Sequence, residues 1–498
     1  MRWTSRLLLL SFVTGAGCSR GNMDAIEVLS AVDSAAVDVG ALDAGTVPID
    51  AAPQPTLEDL QRDYIELRFG MLLHFGVVTY TGNWSQPNLP IDQFNPTKLD
   101  AGQWADAAVA AKMKYGILSV KHIDGFALWN SQISDFDVGA IPWRNGKGDV
   151  VREFVEAFRA RGLKVGFLYA MWDSTAGIDT GSVSQPQLNY IKTQLTELLT
   201  NYGEISYLLF TGWAWRMGHV AIPYQEIRQL VKSLQPNCLL FDQTQLANLW
   251  DTDGTVYDEV LGGTVPADNT LPATQMNKIN SSGGVDWFWA PDIGGLATPA
   301  GVVQDHLQKL EARWTNYLLN CPPNRDGLLD QSMVDTLTRV GAAWAPNLSR
   351  APLSSQGPQN EFPYTIIGAT ATSGTAADAV DGATNFHGYT AWGSSGPLPQ
   401  SVTADLGVVY PDVGLLNYVP GYQPNETPDF GGSITSYAIS TSADNVTFAL
   451  ATTGTWLSSG TMKTAVFGPV PARYVRLEAR AATGGNAAAT EIAVGARR

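Results

Sequence analysis

The chain has 498 residues, of which 45% are hydrophobic and 10% are aromatic. That length and composition are enough to bury more than one core, so we expect two folded domains. The formal net charge of −16 provides no basic surface that could hold phosphates, which argues against nucleic acid as a partner. Neutral ligands fit this charge better.

Residues 1–18 have the pattern of an export signal. Arg2 and Arg6 precede an apolar run at 7–13 that is too short to span a bilayer, and small residues then lead to Cys18. This resembles a bacterial lipobox, which implies lipidation of Cys18 and attachment to the outer membrane through the lipid anchor alone. Gly15 stands where leucine is usual, so simple cleavage and secretion remains the alternative.

Residues 19–56 form a linker rich in alanine and aspartate. From 22 to 55 it has no lysine, arginine or aromatic residue, so its charge is unbalanced and nothing can anchor it to a core. We expect an acidic tether, with a partial amphipathic helix at 25–37 as the alternative.

Residues 57–345 alternate short apolar runs with segments of helical period. This alternation predicts a parallel sheet, and seven or eight units predict a closed (β/α)8-type barrel. The predicted strands are 70–78, 114–120, 165–170, 206–210, 238–242, 255–260 and 286–290. The predicted helices are 103–113, 150–161, 185–202, 224–234 and 303–318.

Such barrels carry their chemistry at the carboxyl ends of the strands, and here those ends are rich in aromatic and polar residues. They are His74, Asn83, Trp84, His122, Tyr169, Trp172, Asp173, Thr211, Trp213, Asp242, Glu259, Trp287 and Trp289. Aromatic faces can cover the apolar side of a pyranose while imidazoles and carboxylates bond its hydroxyls. Each residue alone is equally consistent with a core position, and the prediction of a sugar site depends on their joint placement.

Several motifs in this region resemble glycoside hydrolase family 29, the α-L-fucosidases. They include Phe-Gly-Met-Leu-Leu-His-Phe-Gly at 69–76, Lys-His-Ile-Asp-Gly-Phe at 121–126, Gly-Leu-Lys-Val-Gly-Phe-Leu-Tyr at 162–169 and Tyr-Leu-Leu-Asn at 317–320. The resemblance implies a retaining mechanism, in which an aspartate attacks the anomeric carbon and a glutamic acid protonates the leaving oxygen.

The resemblance also implies roles for individual residues. His74, His122 and Tyr169 would contact fucose hydroxyls or flank the nucleophile, and Trp84 would line the sugar pocket. Trp213 and Trp289 join them as substrate-binding candidates from the strand ends, and no catalytic cofactor is expected.

Three positions depart from the family pattern. Ile123 stands where a second histidine is usual, and Asn83 stands where a glutamate is usual. Thr211 occupies the place of the nucleophilic aspartate, and its hydroxyl is un-ionised near neutrality without a matched base. Activity is therefore expected to be weak or lost.

The acid/base candidate is Glu259, with an ordinary salt-bridged glutamate as the alternative. Asp242 could instead hold a water for inversion, which needs a carboxyl separation of roughly 6.5–9.5 Å.

After a linker at 346–361, residues 362–498 show strand-like alternation and many turn residues, which predicts an all-β, jelly-roll-like sandwich. With Ala-Val-Asp-Gly at 379–382, Asp-Leu-Gly at 405–407 and Ala-Arg-Tyr-Val-Arg-Leu at 472–477, the segment resembles the discoidin or coagulation-factor type C domain, related to family 32 carbohydrate-binding modules. The resemblance implies a structural calcium ion held by Asp381, Thr390 and Glu491. The alternative is that Asp381 caps a turn and Glu491 faces solvent.

Two functions follow from these observations. One is an exported fucosidase-like hydrolase acting on fucosylated oligosaccharides or glycoconjugates. The other is a non-catalytic lipoprotein that binds such glycans through a pocket lacking the nucleophile.

Overall fold

A computed structural model describes most of the chain after residue 53. The described residues are 54–180, 183–217, 222–242, 252–258, 265, 267, 269–280, 287–292, 294–357, 359, 363–382, 390–420, 431–458 and 462–497. The export signal with Cys18 and nearly all of the acidic linker lie outside them. No helix within these ranges is long and apolar enough to cross a membrane.

Eight parallel strands close into a barrel, because the first strand pairs with both the second and the eighth. The strands are β1 Phe69–Leu73, β2 Tyr115–Lys121, β3 Lys164–Ala170, β4 Tyr207–Thr211, β5 Leu239–Asp242, β6 Gly254–Asp258, β7 Ala273–Lys278 and β8 Thr315–Asn320. The C-terminal region is an antiparallel sheet. The predicted (β/α)8 barrel followed by an all-β domain is thus confirmed.

The helices of this region alternate with the strands. They are α1 Leu57–Leu67, α2 Val78–Thr81, α3 Ala101–Ala110, α4 Val150–Ala160, α5 Gln185–Asn201, α6 Tyr224–Leu234, α7 Gln308–Glu311 and α8 Gln331–Ala343. Their starts follow capping rules: Asp149 accepts from the backbone of Arg152 before α4, and Ser184 forms a capping box with Gln187 at α5.

Aromatic rings fill the barrel at the amino-terminal ends of its strands. Tyr64 of α1 packs against Tyr115, Tyr207 and Phe241, and its hydroxyl lies 2.5 Å from the hydroxyl oxygen of Thr274. Gly70 leaves room for the Tyr115 ring, with which any side chain at that position would collide. This end is therefore closed by packing, so a ligand can enter only at the carboxyl ends.

Besides the strand expected at 70–78, which ends at Leu73 before α2 begins at Val78, two elements differ from the sequence prediction. Residues 287–290 are not a barrel strand; the seventh strand is β7, whose Thr274, Gln275 and Asn277 do not form an apolar run. The helix expected at 303–318 ends at Glu311, and β8 begins at Thr315. Strand β7 lacks the apolar run by which the other strands were predicted, because Thr274 bonds Tyr64 inside the barrel.

The C-terminal sheet is antiparallel throughout and surrounds its own apolar core. Its strands are β9 Gly368–Ala371, β10 Trp392–Gly393, β11 Gln400–Pro420, β12 Ile434–Ser442, β13 Ala449–Thr455, β14 Lys463–Ala482 and β15 Ala488–Ala496. Trp392 and Tyr418 are fully buried in this core. The Tyr418 hydroxyl donates to the carbonyl of Ala488 at 2.7 Å and accepts from the amide of Ile434.

Candidate active site

Strand alternation determines which side chains enter the barrel. One buried cluster joins the interior positions, which are Leu72, Ile117, Leu168, Leu209, Phe241, Val256, Met276 and Leu318. Side chains two positions apart in a strand share a face. Two positions after Leu72, Leu209, Val256 and Leu318, the inward side at the carboxyl ends therefore carries His74, Thr211, Asp258 and Asn320.

His74 is held in one orientation by β8. Its Nδ1 lies 2.8 Å from Oδ1 of Asn320, and Nδ2 of Asn320 donates to the carbonyl of Trp287 at 2.7 Å. The second bond fixes the amide, so Oδ1 accepts and Nδ1 of His74 donates. Burial lowers the pKa of His74 to about 4, against which the Asn320 bond acts. His74 is therefore neutral near pH 7, with Nε2 as an acceptor suited to a hydroxyl group.

His122 and two aromatic residues surround His74. The imidazoles of His74 and His122 are nearly perpendicular with centroids 5.4 Å apart. Trp287 stacks on His74 at 5.5 Å, and Phe288 lies edge-on to both histidines. Burial, and then the nearby His74, hold the pKa of His122 well below its usual value. We call His74, His122, Trp287 and Asn320 the histidine wall.

Asp124 lies behind His122. Its Oδ2 is 4.0 Å from Nδ1 of His122, which is too long for a hydrogen bond, and its Oδ1 accepts from the amide of Phe126. Burial raises the pKa of Asp124 to about 7. A buried carboxyl group with a raised pKa thus lies beside His122 of the histidine wall.

Tyr169 does not enter the pocket. As the neighbour of inward Leu168 it faces the helices, and its hydroxyl donates to Gln194 of α5 at 2.8 Å. Lys121 donates to that hydroxyl at 3.1 Å and to Asp173 at 2.7 Å, and both charged side chains are fully buried. Tyr190 and the amide of Ala176 also donate to Asp173. Lys121, Tyr169, Asp173, Tyr190 and Gln194 form what we call the buried network, and its Lys121 precedes His122 in the chain.

The opposite side of the opening is formed by the end of β4. Thr211 is 5% exposed, and its carbonyl accepts from the amide of Met171 at 2.9 Å. Gly212 follows with φ of +73°, and a Cβ there would lie 2.7 Å from Cβ of Trp172. Both the left-handed conformation and the close approach of Trp172 require glycine at 212.

The remaining predicted residues occupy varied positions. Trp84 is 37% exposed at the rim, edge-on to Trp172. Trp213 is fully buried, donates to the carbonyl of Ile222 and packs on Phe210, so the structure does not bring it to the histidines. Trp289 donates to Asp330 before α8, and the indole that stacks on His74 is that of Trp287.

Carboxylates also end strands β5 and β6, as Asp242 and Asp258. Asp242 shares the outward side of Leu240, so the structure does not support it as an interior water-holding base. Glu259 lies outside the described residues. Asp258, which is 1% exposed, ends β6 on the inward side of Val256. Counting two residues from a known interior position would have indicated Asp258 and Asn320 from the sequence.

The predicted calcium ligands come from distant segments of the C-terminal domain. The Thr390 hydroxyl donates to Asp381 at 2.6 Å, and Glu491 accepts from the amide of Gly382 at 2.9 Å. Two carboxylates and a hydroxyl are a hard, all-oxygen set that fits calcium once carbonyl oxygens are added. No cluster of three or more His, Cys, Asp or Glu side chains suited to a metal occurs in the described ranges.

A parallel barrel closed at one end, with neutral imidazoles, an indole and an amide at the other, defines a pocket for a polar ligand with one apolar face. The sequence model described as Alpha-L-fucosidase matches residues 79–347, more than half of the chain. The model described as F5/8 type C domain matches residues 365–492. The chain therefore belongs to the α-L-fucosidase family, glycoside hydrolase family 29, and carries an F5/8 type C domain after the barrel.

Similar proteins agree with this assignment. Alpha-L-fucosidase 1 of Arabidopsis thaliana is 29% identical over 316 residues, which cover 58% of this chain and 60% of the plant protein. The Dictyostelium discoideum alpha-L-fucosidase is 24% identical, covering 50% of this chain and 55% of that protein. Alpha-L-fucosidase isoenzyme 1 from Paenibacillus thiaminolyticus superposes with a TM-score of 0.53 at 25% identity, covering 66% and 90% of the two chains.

Proposed function

We propose that this protein acts on the α-L-fucosyl groups of fucosylated oligosaccharides or glycoconjugates, with hydrolytic turnover reduced by several orders of magnitude because Thr211 replaces the nucleophile. The histidine wall is the observation that supports recognition of the sugar. Its Nε2 acceptor on His74 suits a hydroxyl group, and its Trp287 ring suits the apolar face of a deoxy sugar.

The reduced rate of hydrolysis is inferred from Thr211. A carboxylate at this inward position would attack the anomeric carbon, and a threonine hydroxyl cannot do so without losing its proton. Losing a covalent nucleophile removes much of the lowering of the barrier, while binding interactions in the ground state persist. Thr211 therefore also favours a second candidate function, a non-catalytic protein that binds fucosylated glycans.

Export and the C-terminal domain complete the proposal. We propose that the chain is exported and either anchored at the outer membrane through lipidated Cys18 or secreted. The C-terminal domain would lengthen residence on the glycan, and calcium held by Asp381, Thr390 and Glu491 would tie its terminal segments together.

The deciding experiment measures release of an aryl group from an aryl α-L-fucoside. Activated leaving groups need little acid assistance, so the assay isolates the nucleophile from the identity of the acid. We expect negligible turnover by the parent and measurable turnover by Thr211→Asp, with Thr211→Ser as the matched control that stays inactive. Robust turnover by the parent would refute the proposed role of Thr211.

A further inference from the structure

The outward face of the C-terminal sheet carries polar side chains from four neighbouring strands. The neighbours of Thr403 and Arg476 along their own strands are core residues, so these two side chains point outward. Thr403 of β11 is paired across the strands with Arg476 of β14. Thr370 of β9 is paired with Thr403, and Ser440 of β12 is paired with Arg476. These four residues therefore form one row across the face.

A cleft of about 270 Å³ opens on this face, and we call it the sheet cleft. Its lining includes Thr370 and Thr403 of the row, Asp405 and Tyr474 of the next row, and Asn445 of the loop after β12. Its volume is just below the range of pockets for drug-sized ligands, so the sheet cleft suits one small polar group.

Arg476 adjoins the sheet cleft and is held by two contacts. Its Nε donates to the hydroxyl of Thr403 at 3.1 Å, and its guanidinium lies 3.5 Å over the ring of Phe448. These contacts fix the plane of the guanidinium and leave its two terminal nitrogens to other partners. Within the described part of the chain neither terminal nitrogen has a hydrogen-bond partner, and no carboxylate pairs with Arg476.

The other arginines of β14 are already paired. The strand carries three arginines, and Arg473 binds Asp405 with bonds of 2.7 and 2.9 Å. Arg480 binds Glu478 at 2.8 Å. Each of these pairs is electrically neutral, so Arg476 is the arginine of β14 whose charge is left to attract an anion.

The loop beside the sheet cleft also contains a carboxylate, that of Asp444. It accepts from the hydroxyl of Ser442 at 2.9 Å and from the amides of Val446 and Thr447 at 2.9 and 2.8 Å. These three bonds hold the Asp444 carboxylate within its own loop, where its charge is shared by donors other than Arg476.

The chemistry of the sheet cleft indicates what it would bind. A guanidinium with two available terminal nitrogens recognises a pair of oxygens on one anionic group, such as a carboxylate or a sulfate ester. The hydroxyl of Thr370 and the amide of Asn445 can bond neutral hydroxyl groups, and Tyr474 offers an aromatic ring to the apolar side of a sugar.

We infer that the sheet cleft and Arg476 bind a saccharide unit that carries an anionic group, either a carboxylate or a sulfate ester. The inference rests on the proposed role of the C-terminal domain in holding the glycan, and it adds the site and the charge of the bound unit. The sheet cleft shares no residue with the candidate calcium site.

Calorimetric titration of the full chain tests the inference. The probes are trigalacturonic acid, its neutral methyl ester, galactose 6-sulfate and galactose. We expect at least one anionic probe to bind about tenfold more tightly than its neutral counterpart, and the probe that does so identifies the group as carboxylate or sulfate. Arg476→Gln should remove this preference. Arg476→Lys, which keeps the charge without the planar fork, should lose most of it.

Arg339→Gln is the matched control, because Arg339 of α8 is exposed and also donates to a threonine hydroxyl, that of Thr336, at 3.1 Å. It should leave all affinities unchanged. The inference would be overturned by equal affinity for anionic and neutral probes, by equal weakening in Arg339→Gln, or by a preference that survives in Arg476→Gln. The fucose-induced rise in the melting temperature of the parent reports on the histidine wall separately, and its absence would overturn the fucosyl site rather than the sheet cleft.

Discussion

The two sides of the barrel opening differ in the side chains that they offer for binding and for catalysis. On the β1, β2 and β8 side, His74 is bonded to Asn320 and stacked on Trp287, the arrangement that we propose binds the sugar. On the β4 side the inward position is Thr211, next to a glycine that must stay glycine. Under the proposed function, the β4 side thus has a threonine hydroxyl where a carboxylate would make the attack.

Under the proposed function, recognition of the sugar and its reaction depend on separate elements of one barrel. The buried network includes Lys121, the residue before His122, and its Lys121–Asp173 pair would cost much to alter, whereas Thr211 is a single side chain at the end of β4. A binding site can therefore persist after its chemistry has weakened.

The largest effect should come from breaking the ion pair of the buried network. Lys121→Met leaves Asp173 buried and charged without its partner, so the free energy of unfolding should fall by about 3–5 kcal/mol. Urea unfolding followed by tryptophan fluorescence measures it. Lys98→Met is the matched control, since Lys98 and Asp326 form an exposed pair whose loss should cost less than about 1 kcal/mol. Equal stability of the two variants would contradict the role of the network.

The pH dependence of stability should separate Asp124 from His74. Between pH 4 and 7 the folded chain keeps a proton on Asp124 that the unfolded chain has released, so this contribution to stability is lost as pH rises. Relative to the parent, the free energy of unfolding of Asp124→Asn should therefore rise by about 1.4 kcal/mol per pH unit from pH 5 to pH 7. It should rise no further above pH 7.

His74 should behave in the opposite way. Its lowered pKa means that the unfolded chain takes up a proton first as pH falls from about 6.5 to about 4, which destabilises the parent. Relative to the parent, the free energy of unfolding of His74→Phe should then rise as pH falls. Urea titrations of both variants at pH 5, 6 and 7 give the two slopes, and slopes of equal sign would contradict these assignments.

A third effect tests whether the histidine wall binds fucose. At ten times its dissociation constant, fucose should stabilise the barrel by about 1.4 kcal/mol and raise the melting temperature, with smaller shifts from galactose and glucose. His74→Phe keeps an aromatic ring for Trp287 but removes the Nε2 acceptor, so the shift should disappear. His306→Phe is the control, because His306 stacks on Tyr317 outside the barrel interior. A fucose response that survives in His74→Phe would move the site elsewhere.

Sequence reasoning succeeded where local pattern determines structure. The apolar runs predicted β2 to β6 within about two residues and the start of β1, and helical period predicted α4, α5 and α6 closely. It failed for β7, whose Thr274 and Gln275 are polar although buried, because the partner of Thr274 lies 210 positions away at Tyr64.

The candidate site shows the same limit. His74 and His122 were predicted to share a pocket, and the structure brings them together. The direction of each side chain was harder to predict: Tyr169 and Trp213 follow or end strands but turn away from the interior. Asn320, which orients His74, lies 246 positions further along the chain, and only the closed barrel makes them neighbours.

The smallest expected effect concerns the C-terminal domain, where the predicted ligand is a metal ion rather than a sugar. If calcium joins Asp381, Thr390 and Glu491, a chelator should lower the stability of the full chain by about 1 kcal/mol, since the ion binds only the folded state. Glu491→Gln keeps an acceptor for the amide of Gly382 but removes a charge, so it should abolish the response to chelator while folding normally. Calcium added back should restore the parent and not the variant, as read from melting curves. An unchanged melting curve of the parent in chelator would refute the calcium site and leave the fold and the fucosyl pocket untouched.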